Sequence, residues 1–323
     1  MKWAYILVIF LFFSWLLKGQ QQLLHSWYMW NTFDWNPAWA GMEGSLVLTG
    51  LLRKQWVQQP GSPLSRSVNA HMPVYIAHGG AGLRIRQAQL GVWEVLDVSA
   101  AWNYQLELGR ASVLSVGAAA GMVQRQLDGS RIRTPQGTYL PEPVPIDHQD
   151  ELLPEGIVRA SRPTFDVGIF LLTKRLGAGI AVQHLTAPVL SFSSFGFQFD
   201  RTFYAAISYK WEFTRTLTFL PSVWVSSDVW QTQTNISLLV QLNDNIFSGF
   251  ALRGYSMQTL DAAIFLIGVR LGEQWSLGYS YDMGLGTLQQ ASNGSHELIL
   301  RYQLGKPIGK GKLPPIIYNP RDL

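Results

Sequence analysis

The side chains that could do chemistry are few and scattered. Six histidines, His25, His71, His78, His148, His184 and His296, are spread over the chain. No pair has the His-Glu-x-x-His spacing that sets two imidazoles on one helix face for zinc. Asp147-His148-Gln149-Asp150-Glu151 comes nearest to a metal cluster. It sits among Pro135, Pro141, Pro143, Pro145 and Pro154, so it reads as a solvated loop, with weak divalent-cation binding by its carboxylates as the sharper alternative. Ser295-His296-Glu297 has the residue types of a catalytic triad. Adjacent strand residues point to opposite faces, so three in a row do not converge. Gly80-Ala81-Gly82 and Gly177-Ala178-Gly179 precede neither a helix start nor Gly-Lys-Ser/Thr, so they are not phosphate loops. The chain has no cysteine, which removes disulfides, thiolate metal sites and a Cys nucleophile together. The reading is a non-enzymatic protein with no catalytic residue, metal or cofactor.

Composition narrows the elements that must carry the remaining residues. The chain has 323 residues, 47% of them hydrophobic and 14% charged, with 13 Trp. So apolar and aromatic a chain is not disordered. So few charges would poorly solvate the surface of a cytosolic enzyme. A net charge of +4 without Lys/Arg blocks excludes nucleic acid as the expected partner. Met1-Lys2 is a basic start, residues 3–17 are apolar but for Ser14, and Lys18-Gly19 and three glutamines follow. That run is short of the roughly 20 apolar residues of a spanning helix. It has the layout of a secretory signal peptide over residues 1–19, with a single-helix anchor as the alternative.

No later stretch reads as a membrane helix, which leaves a closed β-barrel as the membrane solution. Period-two alternation supports it. In 275–283 Trp275, Leu277, Tyr279, Tyr281 and Met283 alternate with Ser276, Gly278, Ser280 and Asp282. Phe203, Ala205, Ile207, Tyr209 and Trp211 share one parity, as do Leu298, Leu300, Tyr302 and Leu304. The fold class expected is all-β: a transmembrane antiparallel outer-membrane barrel of about fourteen strands over 44–304, the sixth starting near 163. The connections after strands 1, 5, 7 and 13 are long (58–65, 128–162, 188–199 and 284–294). Those after strands 2, 4, 6, 8, 10 and 12 are tight. Outer-membrane barrels have short periplasmic turns and longer external loops, so both chain ends are expected in the periplasm.

Between the signal and the first strand lies a Trp-rich stretch, 20–43, with Trp27, Trp30, Trp35 and Trp39 and the run Asn36-Pro37-Ala38-Trp39-Ala40-Gly41. Further on are Arg53-Lys54-Gln55-Trp56, Asn69-Ala70-His71-Met72-Pro73 and Gly179-Ile180-Ala181-Val182-Gln183-His184-Leu185. Gly278-Tyr279-Ser280-Tyr281-Asp282 and Ser295-His296-Glu297-Leu298 complete the set. In order and spacing this resembles the PorP/SprF family of outer-membrane proteins of the Bacteroidota type IX secretion system. The resemblance covers nearly the whole chain. It departs from the pattern in the long Pro-rich loop and in an Asn-Pro-Arg tail, where many relatives carry a Cys before the Pro. It implies a component of protein secretion, and of gliding motility in some systems. The implied partners are periplasmic ring or motor lipoproteins and secreted proteins or adhesins with C-terminal sorting domains, besides outer-membrane lipids.

The candidate binding residues are Asn36, Pro37, Trp39, Gly41, Arg53, Gln55, Trp56, His71, Tyr281, Asp282, His296 and Glu297. Asn36-Pro37 is a turn signal and Gly41 permits close backbone approach. Leu46, Leu48, Leu52 and Trp56 share the parity that faces lipid, and Arg53 and Gln55 the one that faces the lumen. Lys54, near the outer rim, can snorkel. A lumenal Arg53 needs a carboxylate, which Asp282 or Glu297 could supply. Segment 20–43 is either a plug inside the barrel or a leader lying against the membrane, where Trp is favoured. The tail, 305–323, is basic, proline-broken and periplasmic, with Ile316, Ile317, Tyr318 and Arg321 as docking residues. A passive channel or fatty-acid-type transporter stays open as a second reading, and an outer-membrane hydrolase as a third.

Overall fold

The computed structural model describes residues 25–109, 111–139, 147–192, 195–228, 230–254, 260–285 and 292–305. The signal peptide expected over 1–19 and the tail residues Ile316, Ile317, Tyr318 and Arg321 lie outside them. Fourteen antiparallel strands form the wall. They are β1 Val47–Lys54, β2 Leu64–Val74, β3 Gly79–Leu90, β4 Trp93–Glu107, β5 Ser112–Asp128, β6 Ile157–Thr173 and β7 Leu176–Gln183, followed by β8 Thr202–Tyr209, β9 Leu217–Ser227, β10 Thr232–Leu242, β11 Ile246–Gly254, β12 Leu260–Leu271, β13 Trp275–Gly284 and β14 Ser295–Gln303. Each strand pairs with its neighbours in sequence, and β1 pairs with β14 to close the ring. After Lys210 the eighth strand resumes as Trp211–Glu212. Closure gives the wall no free sheet edge across the apolar band, so its peptides pair there with neighbouring strands.

The side-chain pattern is that of a barrel in lipid, polar inside and apolar outside. On β2 the buried residues are Ser65, Ser67, Asn69 and His71, while Val68 is 60% exposed and Met72 also faces out. On β1, Thr49 and Arg53 are buried and Leu48 and Leu52 exposed. Trp211 and Phe213 pack on Phe219, and Trp275 packs on Tyr302, forming an aromatic belt near the short-turn end. The long connections follow β1, β5, β7 and β13 and share the opposite end. No described helix is long and apolar enough to cross a membrane.

The sixth strand starts at Ile157, not near 163. Its first turns carry Arg159, Arg162 and Pro163, and pair with β5 out to Ile157↔Asp128. The ladder continues beyond the apolar band, where polar residues are solvated, so composition gave no sign of it. Within the connection after β7, Val189–Ser191 and Gly196–Gln198 form a small hairpin. A wall built this way resists detergent until heated. Unboiled protein should migrate differently from boiled protein in detergent gels, and equal mobility with a helical circular-dichroism spectrum would contradict the ring.

Residues 25–43 lie inside the ring. A short helix α1, Thr32–Trp35, and a 3₁₀ turn, Pro37–Trp39, follow one another. Trp27 packs with Leu51, Leu239, Phe247, Ile264 and Ile299, and Trp35 with Phe170, Ala181, Tyr204 and Trp224. The reading that sets these tryptophans against the membrane therefore does not hold. His25 and Ser26 lie beside Glu297, Asp282 and Arg53, at the long-loop end of β14, β13 and β1. The chain then runs toward the short-turn end, where Gly44 takes the Tyr75 hydroxyl on its carbonyl at 2.9 Å.

Candidate functional site

The lumen holds two buried charge networks, and both grip the N-terminal segment. In the first, Arg53 donates to Asp282 at 2.6 Å and to Glu297 at 3.0 Å. Arg253 donates to the same Asp282 oxygen at 2.6 Å and to Asn235 at 2.9 Å. These charges are fully desolvated, with Arg53 2% exposed and Glu297 0%. Cross-strand register brings them together: Arg53 stands opposite Glu297 on the β1–β14 ladder, and Ile264 on β12 stands opposite Asp282. The main chain of the segment completes the set. Glu297 accepts the N–H of Ser26 at 2.9 Å and of Trp27 at 2.8 Å, and the Ser26 hydroxyl donates to Asp282 at 2.9 Å. A buried carboxylate gains most from such charge-assisted bonds, so the segment and the arginines share one anion pair.

The second network crosses the other half of the ring. Arg84 donates to Asp166 at 2.5 Å and to the Asp34 carbonyl at 2.8 Å. Arg86 donates to Asp97 and to Gln183, each at 2.9 Å. Gln183 donates to the carbonyls of Asp34 and Trp35. The Asp34 carboxylate accepts from Ser67 at 2.6 Å and lies 3.4 Å from His25. Burial works against its charge, but His25, Arg86 and Arg84 outweigh burial and hold Asp34 below the usual carboxylate range.

Further along, Asn36 caps the 3₁₀ turn by accepting from Ala38 N–H at 2.9 Å, and its amide donates to the carbonyls of Ile169 and Ile180. Pro37 opens that turn, where its missing N–H does no harm. Trp39 donates to Glu43 at 3.0 Å. Gly41 has φ +69, and a Cβ there would sit 2.7 Å from the Met72 carbonyl oxygen. Its N–H donates to His71 Nδ1 at 3.2 Å. Arg301 holds Glu43 at 2.5 Å; burial opposes the charge, but Arg301 and then His71 keep the Glu43 carboxyl low. Asn103 donates to the carbonyls of Ala38 at 2.7 Å and Ala40 at 2.6 Å.

Of the residues singled out in the sequence, Asn36, Pro37, Trp39, Gly41, Arg53, His71, Asp282 and Glu297 meet in this contact between segment and wall. Gln55, Trp56, Tyr281 and His296 do not. Gln55 is buried at the β1 end with its N–H on Pro63 O, and Trp56 donates its N–H to Ser295. Tyr281 and His296 pack ring on ring at 5.2 Å on the outward parity, away from Asp282 and Glu297. Sequence reasoning missed Ser26, Asp34, Arg84, Arg86, Asp97, Asn103, Asp166 and Arg253. Parity alone could have flagged Arg84 and Arg86, two apart on one lumenal face. His148 is held by Tyr139 at 3.1 Å and the Pro154 carbonyl at 3.2 Å, and no cluster of three metal-ligating side chains occurs among the described residues.

The family model of the type IX secretion system membrane protein PorP/SprF matches residues 17–302, the segment, the ring and both networks together. The chain belongs to the PorP/SprF family. It is thus a membrane component of type IX secretion, and with its barrel an outer-membrane protein. No curated protein matches it. Among solved structures, the toluene transporter TbuX of Ralstonia pickettii is similar at 13% identity, over 83% of this chain and 91% of that one, with a TM-score of 0.49. The CymD monoaromatic hydrocarbon channel is 12% identical over 88% and 93%, with a TM-score of 0.48. The outer-membrane protein Omp33 of Acinetobacter baumannii is 6% identical over 80% and 98%, with a TM-score of 0.45. In this PorP/SprF protein the buried side chains of both networks fasten a strip of main chain to the inside of a ring.

Proposed function

We propose that this barrel is a plugged scaffold of the secretion machinery, not a passive channel or a fatty-acid-type transporter. Its long-loop end holds secreted proteins or adhesins with C-terminal sorting domains. Its short-turn end holds periplasmic ring or motor lipoproteins. Gliding adhesins are cargo of the same kind. The observation that supports this reading is residues 25–43 lying through the lumen and tied to the wall by hydrogen bonds to ion-paired Glu297 and Arg84 and by the Glu43–Arg301 pair. A conduit needs a clear path, whereas a scaffold needs a rigid one, and buried charge-assisted hydrogen bonds between segment and wall supply rigidity. The tail extends the periplasmic surface: Ile316, Ile317, Tyr318 and Arg321, outside the described residues, suit strand addition to a partner's sheet edge.

Two measurements test the reading. Purified full-length protein in planar bilayers should show no steady conductance. Tagged protein pulled from native membranes should bring periplasmic lipoproteins and secreted proteins with it, and deletion of 314–323 should weaken recovery of the periplasmic set alone. A steady open conductance with neither class recovered would favour the channel.

A further inference from the structure

At the long-loop end of the lumen, beyond the N-terminal segment, lies a cavity of about 150 Å³ between β3, β4, β5, β7, β8 and the hairpin over 189–198. Its walls are aromatic. Trp93, Phe197 and Phe199 line it, and Phe192 and Phe195 stack at 4.8 Å behind them. The Arg125 guanidinium projects into it with its carbon 4.2 Å from the Trp93 ring centre and 3.5 Å from that of Phe197. Arg53, Arg84, Arg86, Arg253 and Arg301 each hold a carboxylate. Arg125 holds none among the described residues, and its Nε has no hydrogen-bond partner.

Three further polar groups border the cavity. Asp97 Oδ1 and Arg86 Nε belong to side chains only 3% and 5% exposed, line this same cavity and have no hydrogen-bond partner. Asp200 also lines it and forms no ion pair among the described residues. Packing alone does not account for this arrangement. Arg125 is half-buried, and its cation–π contacts return less than pairing with an anion would. An aromatic cluster meant only to seat the hairpin would be better served by an aliphatic residue in place of Arg125.

We propose that this vestibule binds a small zwitterion with an apolar body. Its carboxylate sits on Arg125, its ammonium on Asp200, and its side chain between Trp93, Phe197 and Phe199. The volume admits one residue and excludes a folded domain. Two sources share that chemistry: a free apolar amino acid, and the C-terminal residue of a peptide that carries a lysine beside it. The peptide source rests on the cargo reading above; the site itself does not.

Calorimetric titration of the full-length protein in detergent separates the possibilities, with L-phenylalanine, acetyl-Lys-Phe bearing a free carboxylate, and acetyl-Lys-Phe amide as probes. The two carboxylates should bind saturably, and the amide at least about tenfold more weakly, the weight of one charge-assisted contact. Arg125→Gln should abolish the difference between acid and amide, and Asp200→Asn should weaken both acids. If Arg125→Gln does not give a heat-modifiable barrel, Arg125→Lys carries the same test, with acid binding reduced about tenfold by loss of the planar fork. Tighter binding of the dipeptide assigns the site to a chain end; tighter binding of phenylalanine assigns it to a free amino acid and leaves cargo co-purification untouched. No saturable binding of either acid, equal binding of acid and amide, or wild-type acid binding by Arg125→Gln would overturn the site.

Discussion

Asp282→Ala is expected to yield almost no assembled barrel. One Asp282 oxygen accepts from both Arg53 and Arg253 at 2.6 Å, and the other carboxylate oxygen accepts from Ser26 at 2.9 Å. Removing one partner of a buried pair costs about 3–5 kcal/mol, because the charge left behind stays out of water. Here a single substitution leaves Arg253 without a carboxylate and Arg53 with Glu297 alone among the described residues. The loss then approaches the whole of a typical folding stability of about 5–15 kcal/mol. Arg53→Ala should be milder, since Asp282 keeps Arg253 and Glu297 keeps the two N–H groups of Ser26 and Trp27. The heat-modifiable fraction and its melting temperature measure both. The double variant Asp282→Ala/Arg253→Met should recover part of the yield, because the remaining Arg53 pairs with Glu297 alone. Wild-type melting of Asp282→Ala would show that the network does not hold the wall, and an unimproved double variant would show that charge is not the reason for the loss.

The ring was legible because lipid inverts the usual pattern and leaves it regular. Val68 out and Ser67 and Asn69 in is a period of two that any strand must keep. The pairing of Arg53 was legible for a related reason: a lumenal cation demands an anion, and Asp282 and Glu297 occupy inward positions near the same end. Much of the rest was not. Arg84 and Asp166 are 82 residues apart, and their contact depends on ring curvature that no local pattern encodes. The course of the N-terminal segment is set by main-chain N–H groups on Glu297, and main-chain donors are the same at every residue. The extension of β6 to Ile157 was hidden because its residues leave the membrane and lose the apolar alternation. The cavity around Arg125 depends on a hairpin within a connection, where aromatic residues such as Phe197 carry no periodic signal.

Gly80→Val is expected to expel the segment without breaking the wall. Gly80 lies at the start of β3, where its N–H donates to Asn103 at 2.7 Å. A Cβ there would meet the Ala40 carbonyl oxygen at 2.1 Å, its carbon at 2.5 Å and Gly41 Cα at 2.9 Å. All three are main-chain atoms of the segment, so no side chain can rotate away. The strand itself has no objection to valine, which is among the residues most favoured in sheets. The clash therefore falls on the contact between segment and wall. The local anchors are Asn103 on Ala38 and Ala40, Ser115 on Ala38, Gln105 on Ala40, the Gly41 N–H on His71 and the Glu43–Arg301 pair; the neutral bonds are worth about 1 kcal/mol net each, and the main chain around Ala40 and Gly41 must move against an overlap of this depth. The N–H bonds of Ser26 and Trp27 to Glu297 lie farther along and should keep Ser26 in place, so displacement begins at the short-turn end. Limited proteolysis in detergent should then cut within residues 36–43 of the variant and spare the wild type. Planar bilayers should show conductance in the variant alone, while heat-modifiability persists. If the variant forms a barrel that is as protected and as closed as the wild type, the segment is not what closes the lumen, and the scaffold reading loses its support.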